Sequence, residues 1–402
     1  MNARRARAVC LIVLDSVGIG GAPDAAAFGN EGSATLPNTA RAVSGVSLPN
    51  LGALGLGNVV EITGVPPNPR PGGCYGSMIE TSPGKDTTTG HWEIAGIVLE
   101  RAFPLYPEGF PQELIEAFER RAGVEVLGNY SASGTEIIEQ LGEEHLKSGK
   151  PIVYTSGDSV WQIAAHVDVV PLERLYEWCS IARELLTGEH EVGRVIARPF
   201  RGASGAFERT PDRHDFSVAP PADTVLDEIK AAGLEVRSVG KIYDIFAQRG
   251  FTHTHPTSSN EDGVNAVIEE LGATAGGVVF ANLVDFDQAF GHRNDPVGYA
   301  EALEAFDRRL PEILASVGPD DVLLLTADHG NDPTTSSTDH SREKVFVLAA
   351  GPPVRPGVDV GERASFTDLG ATVAELLGVP TATPGKSFAP AILGRGKGST
   401  GS

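Results

Sequence analysis

The chain has 402 residues, which at about 150 residues per domain corresponds to two or three domains. Hydrophobic residues make up 41% and charged residues 21%, a balance typical of a globular chain with a large core. The formal net charge of −21 argues against binding to nucleic acid or to an anionic membrane. The 3 cysteines form neither a disulfide framework nor a C-x-x-C motif, so we expect a reducing compartment, the cytoplasm.

The first apolar run, residues 8–14, follows Arg4, Arg5 and Arg7 and has two interpretations. It resembles the apolar part of a short signal peptide, but it stops at Asp15 after about seven residues. A buried strand is therefore the favoured interpretation. No apolar run reaches the roughly 18–20 residues of a transmembrane helix, so no membrane span is predicted.

Several further apolar runs, rich in Val, Ile and Leu, predict buried parallel strands. With the first run they cover residues 9–14, 152–155, 278–284, 322–326 and 345–350. Helical patterns between them cover residues 111–123, 300–317 and 367–377, and Pro311 predicts a kink or break in the second of these. Strands that alternate with helices predict an α/β fold with a mostly parallel sheet flanked by helices.

The middle of the chain has a different character. Proline-rich stretches at 103–107 and 219–221 flank a segment with helical patterns, a short strand and clustered arginines. We interpret residues 103–220 as an α/β domain inserted into a discontinuous core, residues 1–102 and 221–393. The Gly/Ser-rich residues 394–402 are expected to be a disordered tail.

Aspartate and histidine residues follow three of the predicted strands. They are Asp15, Asp287, His292, Asp328, His329 and His340. Because ligands of an open α/β sheet bind beyond the carboxyl ends of its strands, we expect these side chains to converge. Carboxylates held close together resist ionisation, and two divalent cations would offset their charge. Mixed carboxylate and imidazole ligands suit Mn²⁺ or Zn²⁺, and a two-metal site is typical of phosphoryl transfer.

Residues 84–93 form the densest polar segment of the chain and contain Thr87, Thr88 and Thr89. A threonine hydroxyl becomes a useful nucleophile when metal coordination lowers its pKa. The alternative is a threonine-rich turn whose hydroxyls cap a helix. The composition of the segment does not distinguish these alternatives, nor does it select one of the three threonines.

Arginines are concentrated between residues 194 and 213. The segment contains Arg194, Arg198, Arg201, Arg209 and Arg213 against two acidic residues, a local reversal of the overall charge. The planar guanidinium group is suited to phosphate, so the segment is a candidate phosphate site. A salt-bridged surface loop is the alternative. Lys241 is a further cationic candidate.

Long stretches of the chain resemble a known family. They are residues 14–24, 84–93, 128–129, 132–137, 163–166, 193–200, 282–292 and 326–340. These stretches resemble the bacterial phosphopentomutases of the alkaline phosphatase superfamily, and the resemblance spans roughly residues 8–393. It implies an alkaline-phosphatase-like core with an inserted cap domain that binds substrate.

The resemblance also implies an activity. The family interconverts α-D-ribose 1-phosphate and D-ribose 5-phosphate, and the 2-deoxyribose pair, through a phosphothreonine and a bisphosphate intermediate. Two Mn²⁺ ions are implied as cofactors, and glucose 1,6-bisphosphate or a similar sugar bisphosphate as activator. The pentose phosphates are the partners implied, and no oligomeric state is predicted.

The functional residues implied fall into three sets. One metal ion would be bound by Asp287, His292 and His340. The other would be bound by Asp15, Asp328, His329 and the nucleophile, which corresponds to Thr87. The sugar-phosphate contacts would fall on Ser156, Asp158, Val160, Arg194, Ile196, Arg209 and Lys241.

Three other functions stay open at this point. A phosphatase or sulfatase of the same superfamily would share the metal ions but lack the pentose contacts. A cofactor-independent phosphoglycerate mutase would use a serine nucleophile, where this chain has Gly-Lys-Asp-Thr. An inactive metal- or phosphate-binding protein would not need the full set of candidate ligands.

Overall fold

A computed structural model describes residues 5–157 and 159–393. The chain forms two compact units. We call Met1–Arg101 together with Pro220–Ser402 the core unit, and Ala102–Ala219 the inserted unit. The junctions between the two units lie within one residue of those expected from the sequence. The expected end of the core at residue 393 and the roles of the two parts stay predictions. The tail expected at 394–402 and the candidate contact Asp158 lie outside the described residues.

The strands are short, and those at the centre of the core unit are buried along their whole length. In chain order they are β1 (Ala8–Leu14), β2 (Gly18–Gly20), β3 (Cys74–Met78), β4 (Leu127–Ser131), β5 (Ile152–Thr155), β6 (Val160–His166), β7 (Arg194–Arg201), β8 (Glu208–Arg209), β9 (His214–Ser217), β10 (Glu235–Val239), β11 (His253–His255), β12 (Gly277–Leu283), β13 (Val322–Thr326), β14 (Lys344–Ala350) and β15 (Asp359–Arg363).

Helices lie between many of these strands. They are α1 (Thr35–Ala42), α2 (Pro49–Leu54), α3 (Leu56–Val59), α4 (Thr87–Ile94), α5 (Gln112–Ala122), α6 (Gly134–Ser148), α7 (Leu172–Leu185), α8 (Val225–Ala231), α9 (Ile242–Ile245), α10 (Asn260–Ala273), α11 (Pro296–Ser316), α12 (Thr367–Leu377) and α13 (Ala389–Ile392). The predicted α/β class is confirmed.

The sheet of the core unit has the order β11-β10-β12-β1-β13-β14-β3-β15, and β2 pairs with β14. Strand β1 lies between β12 and β13 and is parallel to both. All seven of its residues are buried, as expected for a parallel strand covered on both faces. The first apolar run is thus a central strand, in agreement with the favoured interpretation.

The prediction that residues 345–350 form a parallel strand is wrong. Strand β14 is antiparallel to β13, β3 and β2. A parallel strand needs a crossover that returns the chain to the opposite end of the sheet. The connection after β13 contains no helix, so the chain enters β14 from the end at which β13 finished.

Of the kink or break predicted at Pro311, the break is wrong, because α11 continues through this residue, and the kink stays a prediction. A proline inside a helix leaves the carbonyl group four residues earlier without its N–H donor. Here that carbonyl belongs to Asp307, and the side-chain amide of Asn50 donates to it over 2.8 Å. The backbone N–H of Leu51 donates to the Asp307 carboxylate over 2.7 Å, so α2 supports α11 at this point.

The inserted unit has its own sheet, with the order β4-β5-β6-β7-β8 and with β9 beside β7. Strand β5 is parallel to β4 but antiparallel to β6, which corrects the expectation of a parallel strand at 152–155. Two clusters of buried side chains contain residues of this sheet. One is centred on Trp161 and includes residues of α5 and α7, and the other, around Tyr154, includes residues of α6.

Within the described part of the chain, no helix combines the length and the apolar character needed to cross a membrane.

Candidate metal centre and active site

The candidate ligands of the core unit come from three neighbouring strands. Asp15 directly follows β1, and Asp328 and His329 follow β13 after one residue. Asp287 lies in a π-helical turn, Phe286–Phe290, that begins shortly after β12. Since β12, β1 and β13 are adjacent and parallel, their carboxyl ends deliver these residues to one place.

The first ligand group consists of Asp15, Asp328 and His329, whose donor atoms all lie within 4.8 Å of one another. The Nε2 atom of His329 is 3.4 Å from Oδ1 of Asp15 and 3.3 Å from Oδ2 of Asp328. All three side chains are almost completely buried. The structure thus brings together three of the residues predicted for one metal ion.

The second ligand group consists of Asp287, His329 and His340. Oδ1 of Asp287 lies 3.4 Å from Nε2 of His340, and Oδ2 lies 3.1 Å from Nε2 of His292. The rings of His292 and His340 are neighbours, with centroids 4.7 Å apart. Asp287 therefore contacts both histidines with which the family resemblance grouped it, and His329 belongs to both ligand groups.

The electrostatics of the cluster reflect its burial. Burial, together with the negative charge of Asp328, raises the pKa of Asp15. Burial also opposes ionisation of Asp287, but electrostatic attraction to His340 and hydrogen bonds with His292 and His340 hold its pKa well below the usual range. Burial lowers the pKa of His329, but Asp328 and Asp15 outweigh it and raise that pKa well above its ordinary value.

These residues fit metal ions. Three of their atoms, Oδ1 of Asp15, Oδ2 of Asp328 and Nε2 of His340, are buried and have no well-aligned hydrogen-bond partner among the described residues. Buried polar atoms of this kind are rare and need a partner. Carboxylates and imidazoles in one cluster are the ligand set of a transition metal such as Mn²⁺ or Zn²⁺.

The structure distinguishes the three threonines of the polar segment. Thr87 is the first residue of α4, and its hydroxyl lies 3.1 Å from Nε2 of His329. The hydroxyl of Thr89 instead donates to Asp86 over 2.6 Å, and Asp86 caps the helix by accepting the N–H of Thr89. Capping thus accounts for Thr89, whereas Thr87 faces the candidate metal centre.

The loop before Thr87 is held by a buried arginine that the sequence analysis did not single out. Arg342 donates to the carboxylate of Glu80 over 2.6 Å and to the carbonyls of Ser82 and Gly84 over 2.7 and 2.6 Å. Only 2% of the Arg342 side chain is exposed. Its fork of donors thus fixes the path of the loop that leads to the candidate nucleophile.

Further polar residues that sequence reasoning missed support the ligands. Asn282 donates to Oδ2 of Asp15 over 2.8 Å, and Asn331 donates to Oδ1 of Asp287 over 2.9 Å. The backbone N–H of Ser16, a residue in the left-handed region with φ of 67°, donates to Asp328 over 3.1 Å. Asn282 could have been recognised from the sequence, because an asparagine inside the apolar run of β12 needs a polar partner.

Four of the predicted sugar-phosphate contacts lie at one end of the inserted sheet. Val160 and Arg194 are paired at the start of β6 and β7, and Ile196 is two residues further along β7. Ser156 directly follows β5, which ends beside the start of β6 because these two strands are antiparallel. Arg194 lies 3.7 Å from the carboxylate of Asp215, so it is ion-paired within its own unit.

Arg209 and Lys241 lie elsewhere. Arg209 belongs to β8 and pairs with Phe200 towards the opposite end of β7. Its guanidinium packs so closely on Gly134 that a Cβ atom there would collide with it. Lys241 belongs to the core unit, where its Nζ atom donates to Gln288 over 3.0 Å, next to Asp287 in the chain. Arg194 and Arg198 of the arginine-rich segment lie on β7, whereas most of residues 202–213 are exposed, and Arg201 and Arg213 form ion pairs with Glu208 and Asp215.

Nearly the whole chain is similar in sequence to known proteins. A sequence model of the metalloenzyme superfamily matches residues 7–381. The phosphopentomutase of Symbiobacterium thermophilum is 59% identical over 388 residues, which are 96% of this chain and 98% of that protein. The phosphopentomutases of Thermotoga maritima and Desulfitobacterium hafniense DCB-2 are each 57% identical, over 94% of this chain and 98% and 97% of their own.

The chain belongs to the phosphopentomutase family, within the metalloenzyme superfamily. The family resemblance inferred from the sequence is confirmed, and with it the enzyme class, an isomerase. Membership of a metalloenzyme family agrees with the two buried ligand groups in assigning metal ions to the core unit.

Proposed function

We propose that the chain interconverts α-D-ribose 1-phosphate and D-ribose 5-phosphate, and the corresponding 2-deoxyribose phosphates, through a phosphothreonine at Thr87. The observation that carries this proposal is the position of the Thr87 hydroxyl, 3.1 Å from Nε2 of His329 and thus beside both ligand groups. The names of the similar proteins support a pentose phosphate as substrate.

The proposed cofactors are two Mn²⁺ ions. Asp287, His292 and His340 would hold one of them. Asp15, Asp328, His329 and the hydroxyl of Thr87 would hold the other. When bound, such ions lower the pKa of a coordinated hydroxyl and offset the charge of a transferring phosphoryl group.

The proposed transfer conserves the phosphoryl groups. The phosphorus–oxygen bond of phosphothreonine breaks as the free hydroxyl of the pentose phosphate bonds to that phosphorus, which yields a bisphosphate. The bisphosphate then returns its other phosphoryl group to Thr87. A sugar bisphosphate such as glucose 1,6-bisphosphate would prime an unphosphorylated Thr87, and its own monophosphate would leave. Catalysis of this kind depends on positioning and on charge stabilisation.

The chain's own residues would serve that transfer in two ways. Thr87 begins α4, and the positive end of a helix dipole stabilises a phosphate there. The proposed contacts to the sugar phosphate are Ser156, Asp158, Val160, Arg194, Ile196, Arg209 and Lys241. These contacts, with the inserted unit as a cap, would exclude water from the phosphoenzyme, because water would otherwise hydrolyse it.

The proposed compartment is the cytoplasm. All three cysteines, Cys10, Cys74 and Cys179, are buried and free, as expected for a chain that works under reducing conditions.

Phosphorus NMR tests the proposed function directly. The protein is mixed with ribose 1-phosphate, Mn²⁺ and a trace of glucose 1,6-bisphosphate, and ribose 5-phosphate is expected as the product. EDTA and Thr87→Ala should each abolish the conversion. Thr88→Ala, a substitution of the adjacent threonine, is the matched control and should retain it. Inorganic phosphate as the main product would instead identify a phosphatase.

A further inference from the structure

His91 lies on α4, four residues after Thr87, and is completely buried. Its ring stacks on Phe280, with centroids 5.9 Å apart. Side chains of a helix lean towards its N-terminus, and this places Nδ1 of His91 2.9 Å from the carbonyl oxygen of Thr87. The same nitrogen lies 3.0 Å from Oδ2 of Asp328. One ring atom therefore stands between the candidate nucleophile and a candidate metal ligand.

The surroundings of the ring determine where its hydrogen lies. The carbonyl of Thr87 and the carboxylate of Asp328 only accept hydrogen bonds, so Nδ1 of His91 carries the hydrogen. The other nitrogen, Nε2, is buried and has no hydrogen-bond partner among the described residues. A hydrogen on Nε2 would be buried without an acceptor, which is costly. The single N–H group of the ring is aligned with the carbonyl of Thr87, and Oδ2 of Asp328 lies 3.0 Å from the same nitrogen.

A second residue keeps α4 in place against the same aspartate. A Cβ atom added at Gly90 would collide with the backbone carbonyl of Asp328. The helix therefore approaches Asp328 as closely as two backbones allow, and only glycine fits there. Gly90 sets the distance between α4 and Asp328, and His91 supplies the polar contact.

We propose that His91 is a positioning residue that orients the carboxylate of Asp328 towards the metal centre and ties it to the helix that begins at Thr87. One carboxylate oxygen of Asp328 accepts the N–H of Ser16, and the other faces His91 and His329. If Nε2 of His329 binds a metal ion, it cannot donate a hydrogen to Oδ2 of Asp328. Nδ1 of His91 is then the nearby nitrogen that can orient this oxygen. Outer contacts of this kind orient ligands and tune metal affinity. The inference rests on the metal centre of the proposed function.

Two substitutions of nearly the same shape separate orientation from packing. His91→Asn places an amide nitrogen where Nδ1 lies, whereas His91→Leu places a methyl group there. Metal-depleted protein is titrated with Mn²⁺, and free Mn²⁺ is followed by electron paramagnetic resonance. We expect His91→Leu to weaken Mn²⁺ binding by about 10- to 100-fold, and His91→Asn to retain most of the affinity. The kcat of the leucine variant should fall while its KM for ribose 1-phosphate stays near that of the wild type.

Trp92→Phe is the matched control on the same helix. Its indole N–H donates to the carbonyl of Ile245 over 3.1 Å, so the substitution removes a buried hydrogen bond away from Asp328. It should lower the melting temperature and leave Mn²⁺ affinity unchanged. Should His91→Leu not fold, His91→Gln replaces it, because its longer side chain carries the amide past Asp328.

The outcomes separate this inference from the function on which it rests. Equal losses of Mn²⁺ affinity in His91→Leu and His91→Asn would show that the ring only fills space. Wild-type affinity in both variants would equally overturn the positioning role. A wild-type protein that binds no Mn²⁺ would overturn the proposed metal centre, and with it this inference.

Discussion

The inserted unit and the core unit both bury histidines, but their ring nitrogens have different neighbours. In the inserted unit, Nδ1 of His145 donates to the carbonyl of Lys150 over 2.7 Å. Its Nε2 accepts the backbone N–H of His166 over 2.8 Å. Both nitrogens of His145 are therefore satisfied by backbone groups, and the residue joins the end of α6 to the end of β6.

Among the described residues, His329 of the core unit has one backbone partner. Its Nδ1 donates to the carbonyl of Gly330 over 3.0 Å, and its Nε2 faces Asp15, Asp328 and the hydroxyl of Thr87. His145 and His329 therefore differ in the groups that surround Nε2. A buried histidine satisfied by the backbone holds the fold together, whereas one that faces carboxylates is available to a cation.

The largest expected effect follows from exchanging each histidine for asparagine. His329→Asn removes Nε2 from both ligand groups, and we expect mutase activity to fall by about 10³-fold or more. His145→Asn keeps a donor for Lys150 but leaves the N–H of His166 without an acceptor. It should cost about 1–3 kcal/mol of stability and leave kcat close to that of the wild type.

Mutase assays and thermal unfolding of the two variants measure both effects. The structural role assigned to His145 would be wrong if His145→Asn lost activity while fully folded. The functional role assigned to His329 would be wrong if His329→Asn kept its activity, because the reaction would then not need Nε2 of His329.

A smaller effect is expected from the arginine at the start of β7. Arg194→Ala should slow mutase turnover by about 10- to 100-fold, the worth of one charge-assisted hydrogen bond to a phosphate. Hydrolysis of the phosphoenzyme should change less, because water does not need a sugar-phosphate contact. Asp215 keeps an ion pair with Arg213 at 2.6 Å in this variant, so the strand retains its support.

Arg201→Ala is the control for that substitution. Arg201 lies on the same strand, is exposed, and pairs with Glu208 over 3.4 Å. Both activities of this variant should match those of the wild type. Equal losses of turnover and hydrolysis in Arg194→Ala would argue against a substrate contact by this arginine.

Much of the core could be predicted because its signals are local. Apolar runs rich in branched residues predicted the buried strands β1, β12 and β13, and the side chains after them were expected to meet. The position of Asp15 directly after β1 is the clearest case. Residue type, burial and strand ends together pointed to one edge of the sheet.

What could not be predicted depends on partners distant in the chain. Pro311 has the same sequence signature whether or not a side chain such as Asn50 takes up the carbonyl that it leaves free. The role of His91 depends on Asp328, 237 positions later, and His91 itself lies in a segment that composition describes only as polar. Nor does the apolar run of β14 indicate from which end the chain enters it.

The smallest expected effect concerns pH and the histidine of the inserted unit. Burial lowers the pKa of His145, and the nearby His166 lowers it further, although its bond to Lys150 opposes this. The unfolded chain therefore binds a proton at His145 more readily than the folded chain does. The stabilisation is present above the unfolded pKa of about 6.5 and is lost as the pH falls towards the folded value.

His145→Asn isolates this contribution, because asparagine does not titrate. At pH 8 the variant should be less stable than the wild type, since the N–H of His166 has lost its acceptor. At pH 5 the difference should shrink, because the wild type alone carries the penalty of keeping His145 neutral. Hydrogen exchange of amides in α6 and β6 measures both differences, with the α12 amides of the core unit as the internal reference. A difference that stays constant towards low pH would mean that folding does not lower the pKa of His145, and a difference that widens would mean that folding raises it.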